Sequence, residues 1–192
     1  MSTTGNNENN KSFITLHYIM GDLEKVFYGA AIQGGRVSGE RAHINRELID
    51  VIKSEGYHVL SEHTAGSTKD EMYGILNRTI GPLPLSETER NIYLRRKMIE
   101  FVESDIKAAV FEFSVSSSGT GVEFTHAYSR PRFGLKTVPI LALYQNGYWQ
   151  NGLSTMIEGI SREELPHVKI IVYKNLDDAK SCLVDFLGGI KK

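Results

Sequence analysis

Cysteine is nearly missing from this sequence: 192 residues contain one, Cys182, so no internal disulfide can form. It sits in an apolar helical pattern and reads as a buried thiol of an intracellular protein. Charge of one sign is missing too, since 22 basic residues meet 23 acidic ones, a formal net charge of −1. That balance speaks against nucleic acid polymers and anionic membranes as partners, both of which favour a basic surface. No apolar run approaches the roughly 20 residues that span a bilayer, and the polar first residues hold no secretory apolar core. His43, His58, His63, His126 and His167 do not combine with Cys182 at metal-ligand spacing, so no metal and no other cofactor is expected. There is no internal repeat and no second-domain signature. These absences leave a cytoplasmic globular protein of one domain, long enough for a full core.

What is present is an alternation of strands and helices. Residues 1–24 read as an N-terminal extension: MSTTGNNENNK is polar and of low complexity, as disordered segments are, and FITLHYIM fits either an edge strand or a partner-binding arm. Residues 25–192 read as the domain. KVFYGAAI (25–32) is a near-continuous apolar run ending in GG, as a central parallel strand should be. A helix follows on the spacing of Ile44, Leu48, Ile49 and Ile52, then a second strand over 57–63. The stretch 64–84 reads as irregular, of the length that lids and binding loops have. Ser86 followed by Glu89 opens a capped amphipathic helix. IKAAVFEF, TVPILALYQ and LPHVKIIVY supply three further strands, a short helix follows IKAAVFEF, and Asn175 caps a closing helix. The pattern predicts an α/β fold: a doubly wound, flavodoxin- or Rossmann-like sheet of five parallel strands with helices on both faces.

In such sheets ligands bind at the carboxyl ends of the strands, where strand order reverses. Two segments belong at that edge. IQGGR (32–36) follows the first strand, and SSSGTGVE (116–123) follows the third, with glycines that admit close approach and amides that open a helix N-terminus. Glu123 is placed in the first turn of that helix, facing the pocket. A first-turn glutamate is also favoured by the helix dipole alone, so both a chemical and a capping role fit it. SRPRFGLK is a local basic cluster that reads as a solvated helix end and turn.

VFYGAAIQGGR, LSEHTAG, SSSGTGVEFTHA and LSTMIEG occur in the order and approximate spacing of the nucleoside 2-deoxyribosyltransferase-like superfamily. Over residues 25–190 the chain most resembles the 2'-deoxynucleoside 5'-phosphate N-hydrolases and related nucleotide N-glycosidases. That resemblance implies hydrolysis of a nucleoside 5'-monophosphate to free base and sugar phosphate, with Glu123 as the nucleophile on the anomeric carbon. It implies a phosphate site from Ile32, Gln33, Gly34, Gly35 and Arg36, closed by Ser117 and Gly119, and a place for His63 near the base. The alternative for His63 is a satisfied strand-end histidine. Ser154, with Met156 beside it, matches a segment that family members contribute across a dimer interface, which implies a homodimer or larger even assembly. The alternatives to a hydrolase are a deoxyribosyltransferase and a nucleotide-binding module that has lost catalysis.

The chain also departs from the family pattern. Ala31 and Gln33 stand where a serine and an arginine are usual, and Phe27 stands in place of a first-strand tyrosine. Lys97 occupies the position of the aspartate that protonates the leaving base, and a lysine is a poor acid near neutral pH unless burial lowers its pKa. Asp105 and Glu112 are the other candidates for that acid. Phe27 lacks the hydroxyl that family hydrolases hold beside the sugar, so ribonucleotides are expected to be tolerated.

Overall fold

The computed structural model describes residues 23–32, 39–148 and 153–191. The N-terminal extension up to residue 22 and the presumed phosphate-site residues Gln33, Gly34, Gly35 and Arg36 lie outside them. Among the described residues the chain runs β1 (Lys25–Ala30), α1 (Gly39–Ser54), β2 (His58–Leu60), α2 (Lys69–Ile80), α3 (Glu87–Glu103), β3 (Ala108–Glu112), α4 (Ser118–Ser129), β4 (Ile140–Gln145), α5 (Thr155–Glu158), β5 (Val168–Tyr173) and α6 (Leu176–Ile190). The five strands form one parallel sheet in the order β2-β1-β3-β4-β5. This is the expected doubly wound, flavodoxin-like arrangement, and its order reverses between β1 and β3.

Two cores explain why the central strands read as unbroken apolar runs. On one face α1 and α6 bring Ile44, Leu48, Leu183 and Leu187 onto Val26, Tyr28, Val110 and Leu141. On the other, α3 and α4 bring Val102, Phe124 and Ala127 onto Phe27, Ala109, Phe111 and Ile140. Strands covered on both sides carry no polar alternation. The caps at Ser86 and Asn175 form as expected, each side chain accepting from the backbone N–H three residues on. No described helix is long and apolar enough to cross a membrane.

Four details differ from the sequence reading. The stretch 64–84 is largely ordered as α2: Thr68 caps Glu71 N–H, Glu71 accepts from Ser67 N–H, and Met72 and Leu76 bury the inner side. β2 stops at Leu60, because Ser61 takes a left-handed conformation (φ 72°) and a 3₁₀ turn, Glu62–Ala65, follows. Arg130 is buried rather than solvated. Its guanidinium donates to the Ser104 carbonyl at 3.0 Å and to that of Val102, and Nε donates to the Lys136 carbonyl at 2.9 Å, tying the turn after α4 to the carbonyl end of α3. Cys182 is only half-buried, with Sγ 3.9 Å from Asp178 Oδ1.

Candidate active site

A small cavity opens at the β1/β3 switch point, about 80 Å³ in volume, lined by the ends of β1 and β2 and the N-terminus of α4. Glu123 reaches it from α4. The helix starts earlier than the sequence suggested, because the Ser117 hydroxyl accepts from Thr120 N–H at 3.3 Å. Glu123 therefore sits beyond the first turn, and the capping explanation no longer applies to it. Its neighbour Phe124 packs edge-on against Phe111 and Phe113, ring centroids 5.2 and 5.1 Å away. Such aromatic pairs add about 0.5–1.5 kcal/mol each beyond area burial, and they fix the helix that presents the carboxylate.

The carboxylate lies over Gly29, which pairs with Phe111 in the sheet register. A Cβ at Gly29 would stand 2.6 Å from the Phe111 ring and 3.2 Å from Glu123 Oε2. The missing side chain is thus what lets ring and carboxylate occupy the top of β1, the close approach a strand glycine often marks. Burial pushes the Glu123 carboxyl up to about 7, and no cation or hydrogen-bond donor among the described residues offsets it. A carboxyl in that state divides between acid and anion near neutral pH, with both oxygens free for a ligand.

Opposite stands the turn after β2. The left-handed Ser61 redirects the chain, its carbonyl accepts from both the amide and the hydroxyl of Thr64, and His63 is delivered to the cavity at 5% exposure. Burial lowers the His63 pKa to about 4, so the imidazole is neutral at physiological pH. From β1, Tyr28 lines the base of the cavity and donates to Asn45 Oδ1 at 2.9 Å, while Asn45 Nδ2 donates to the Thr64 carbonyl at 3.1 Å. This relay locks the β2 turn to α1.

Of the residues singled out in the sequence, Glu123, Ile32, His63, Ser117 and Gly119 meet around this cavity. Phe27 does not line it; it packs in the core with its ring 5.7 Å from Phe111, and the tyrosine that reaches the cavity is Tyr28. Lys97 faces elsewhere on α3, with Nζ 2.8 Å from Glu100, a bond that raises its pKa. Ser154 is exposed ahead of α5, and Met156 is 84% exposed. Asp105 lies exposed before β3, at the amino ends of the strands and away from the cavity. Gly29, Tyr28, Asn45 and Ser61 escaped the sequence reading. A glycine within VFYGAA was the one available signal, through the rarity of a glycine inside a buried strand.

Glu112, at the end of β3, is 2% exposed and enclosed in a network. Its Oε1 accepts from the Ser114 amide at 3.1 Å, from the Ser114 hydroxyl and from Tyr173 OH at 3.0 Å, with the Arg41 guanidinium 3.7 Å away. Burial raises its pKa, while Ser114, Arg41 and Tyr173 pull it back. A larger hollow of about 340 Å³ lies on the β4–β5 face between Tyr144, Ile170, Val172 and Arg162. Glu158 is its one carboxylate and belongs to a short exposed helix, so the smaller cavity, with a held and desolvated carboxyl, is the better chemical candidate.

No family model matches the chain. One curated relative is a protein of Thermofilum pendens provisionally named 2'-deoxynucleoside 5'-phosphate N-hydrolase 1. It is 28% identical over 165 residues, which cover 86% of this chain and 96% of that protein. The likeness therefore spans the α/β domain and suggests that hydrolase family.

Proposed function

We propose that the protein is an N-glycosidase that hydrolyses the bond between base and sugar of a nucleoside 5'-monophosphate, with Glu123 as nucleophile. The observation that carries this reading is the Glu123 carboxyl, held over Gly29 at the switch point, desolvated and without a partner among the described residues. The name of the Thermofilum pendens relative supports the same substrate class. In this reading a carboxylate oxygen attacks the anomeric carbon, a covalent glycosyl-enzyme forms, and water releases the sugar phosphate. The amides and hydroxyl at Ser117 and Gly119 open α4 and suit an anionic phosphate. Neutral His63 suits a hydrogen bond to the base. The exposed Ser154 and Met156 support a role for that segment toward a second copy of the chain.

Chromatography of a nucleotide panel incubated with the protein tests this reading. Free base with equimolar sugar phosphate is expected. Binding without base release would make the protein a nucleotide-binding module, and transfer of the sugar to an added second base would make it a transferase.

A further inference from the structure

We propose that this site takes nucleotides whose base carries a fixed positive charge on the ring that is cleaved off, an N-alkylated purine or a pyridinium, because such a base leaves without a proton. The inference rests on the N-glycosidase reading and specifies its substrate. An ordinary purine or pyrimidine departs as an anion unless an acid protonates it, and that acid contributes about 10²–10⁴-fold. Three titratable side chains line the cavity among the described residues: Glu123, His63 and Tyr28. Glu123 is the nucleophile. His63 is neutral, since burial holds its pKa at about 4. The Tyr28 hydroxyl proton is given to Asn45, and burial raises its pKa well above the ordinary tyrosine value.

Candidates outside the cavity are committed elsewhere. Lys97 pairs with Glu100, Glu112 lies within its own network, and Asp105 precedes β3, at the amino ends of the strands. The residues that follow Ile32, QGGRVS, contain neither a carboxyl nor an imidazole in their sequence. Among the described residues the cavity is therefore supplied with a nucleophile and poor in acids.

A cationic base removes the need for an acid and supplies what Glu123 lacks. Glu123 faces no described cation, and a positive ring beside the anomeric carbon would hold its carboxyl in the ionised, nucleophilic form. Neutral His63 does not repel that ring. In the chemical step a Glu123 oxygen bonds to C1′ as the C1′–N bond breaks. The bond's electron pair returns to the cationic ring, and the base leaves neutral. Water then adds to C1′, the ester electrons return to Glu123, and the water's surplus proton goes to solvent. The sum is cationic nucleotide plus water giving sugar phosphate, neutral base and one proton.

Matched substrates test this. Release of base from GMP and dGMP is compared with release from 7-methyl-GMP, which differs from GMP by the methyl that fixes the charge, and from nicotinamide mononucleotide, a pyridinium. Uncatalysed rates are subtracted, and a Glu123→Gln variant with an unchanged circular dichroism spectrum is run alongside. The expected result is a kcat/KM at least 100-fold higher for one or both cationic nucleotides than for GMP and dGMP, lost in Glu123→Gln. Which of the two is cleaved tells alkylated purine from pyridinium. Neutral nucleotides cleaved within tenfold of the cationic ones would overturn the inference and leave the N-glycosidase reading standing. No base release from any nucleotide by the folded wild type would overturn both.

Discussion

Two glutamates at and beyond the carboxyl end of the central strand β3 occupy opposite kinds of surroundings. Glu112 ends the strand inside a closed network of Ser114, Tyr173 and Arg41, with Gln145 bonded in turn to Arg41 and to the Ser114 hydroxyl. Glu123, on the helix that follows, is desolvated yet makes no hydrogen bond to a described residue. Burial raises both pKa values, but at Glu112 hydrogen bonds and a guanidinium counter it. A carboxylate engaged by the fold as Glu112 is, through Oε1, is placed to order that fold. One left bare at a cavity is destabilising by itself, a cost that active sites commonly carry and structural sites do not.

Exchanging each glutamate for its neutral isostere should separate the two roles, and gives the largest effects expected. Glu123→Gln should lower base release by about 10⁴-fold or more, because the covalent step has no substitute, while the fold is kept. Glu112→Gln should retain activity per folded molecule but lose about 3–5 kcal/mol of stability, since the Arg41 guanidinium, 1% exposed, is left without its anion. Urea melts and turnover measured on the same preparations read both. Equal loss of turnover in the two variants would erase the distinction.

The comparison sharpens with pH. The folded pKa of Glu123 lies above its ordinary 4.5, at about 7. The protonated form is thus favoured by folding: the contribution is fully present below about 4.5 and is lost as pH rises through about 7. Wild type and Glu123→Gln should therefore be equally stable near pH 4.5. The variant should gain on wild type up to pH 8, by about 1–3 kcal/mol given partial solvent access. The proposed reaction needs Glu123 ionised, so kcat/KM on a panel nucleotide should rise with pH through an apparent pKa near 7. A flat profile between pH 6 and 8 would remove Glu123 from the rate-determining ionisation.

Gly29→Ala tests what holds the bare carboxylate in place. The new methyl would crowd the Phe111 ring at 2.6 Å and Glu123 Oε2 at 3.2 Å. The ring is packed between Phe27, Phe113 and Phe124, so the carboxylate and helix α4 must also shift. A loss of about 1–3 kcal/mol in stability is expected, with roughly 10–100-fold in kcat and little change in KM, because a displaced nucleophile spoils the reacting geometry more than binding. A KM effect with kcat intact would point to binding instead.

Much of this was legible in the sequence, and the misses have physical causes. Strand–helix alternation and the Ser86 and Asn175 caps are local signals, and they gave the architecture. α2 was hidden because Gly74 and polar positions dilute its pattern, and only packing of Met72 and Leu76 declares its inner side. The SSSGTGVE loop was legible as a lining of the switch-point cavity, since glycine, hydroxyl and carboxylate lie close in sequence. Gly29 and the Tyr28–Asn45 relay depend on which face of β1 each residue occupies. Both faces of that strand are buried, so no alternation of polarity betrays the register. The turn at Ser61 is held by local bonds from Thr64 to the Ser61 carbonyl together with Met98 of α3 and Asn45 of α1, and the last two are distant in sequence.

The smallest effect is expected at Lys97, where family resemblance and geometry pull apart. The resemblance implies a proton donor at its position in the helix before β3, yet its ammonium bonds Glu100 on the same helix at 2.8 Å. That bond raises the lysine pKa, the wrong direction for an acid at neutral pH. An exposed pair three residues apart on a helix contributes only about 0.2–0.5 kcal/mol. Lys97→Met should accordingly leave kcat/KM within about threefold of wild type and the urea midpoint nearly unchanged, with no loss of an alkaline limb from the pH profile. Together with the loss expected for Glu123→Gln, that outcome would separate a motif position needed for the proposed chemistry from a surface one. A drop of about 100-fold in Lys97→Met, with kcat falling and KM steady, would instead bring the lysine into the reaction, and with it the acid that the cavity otherwise lacks.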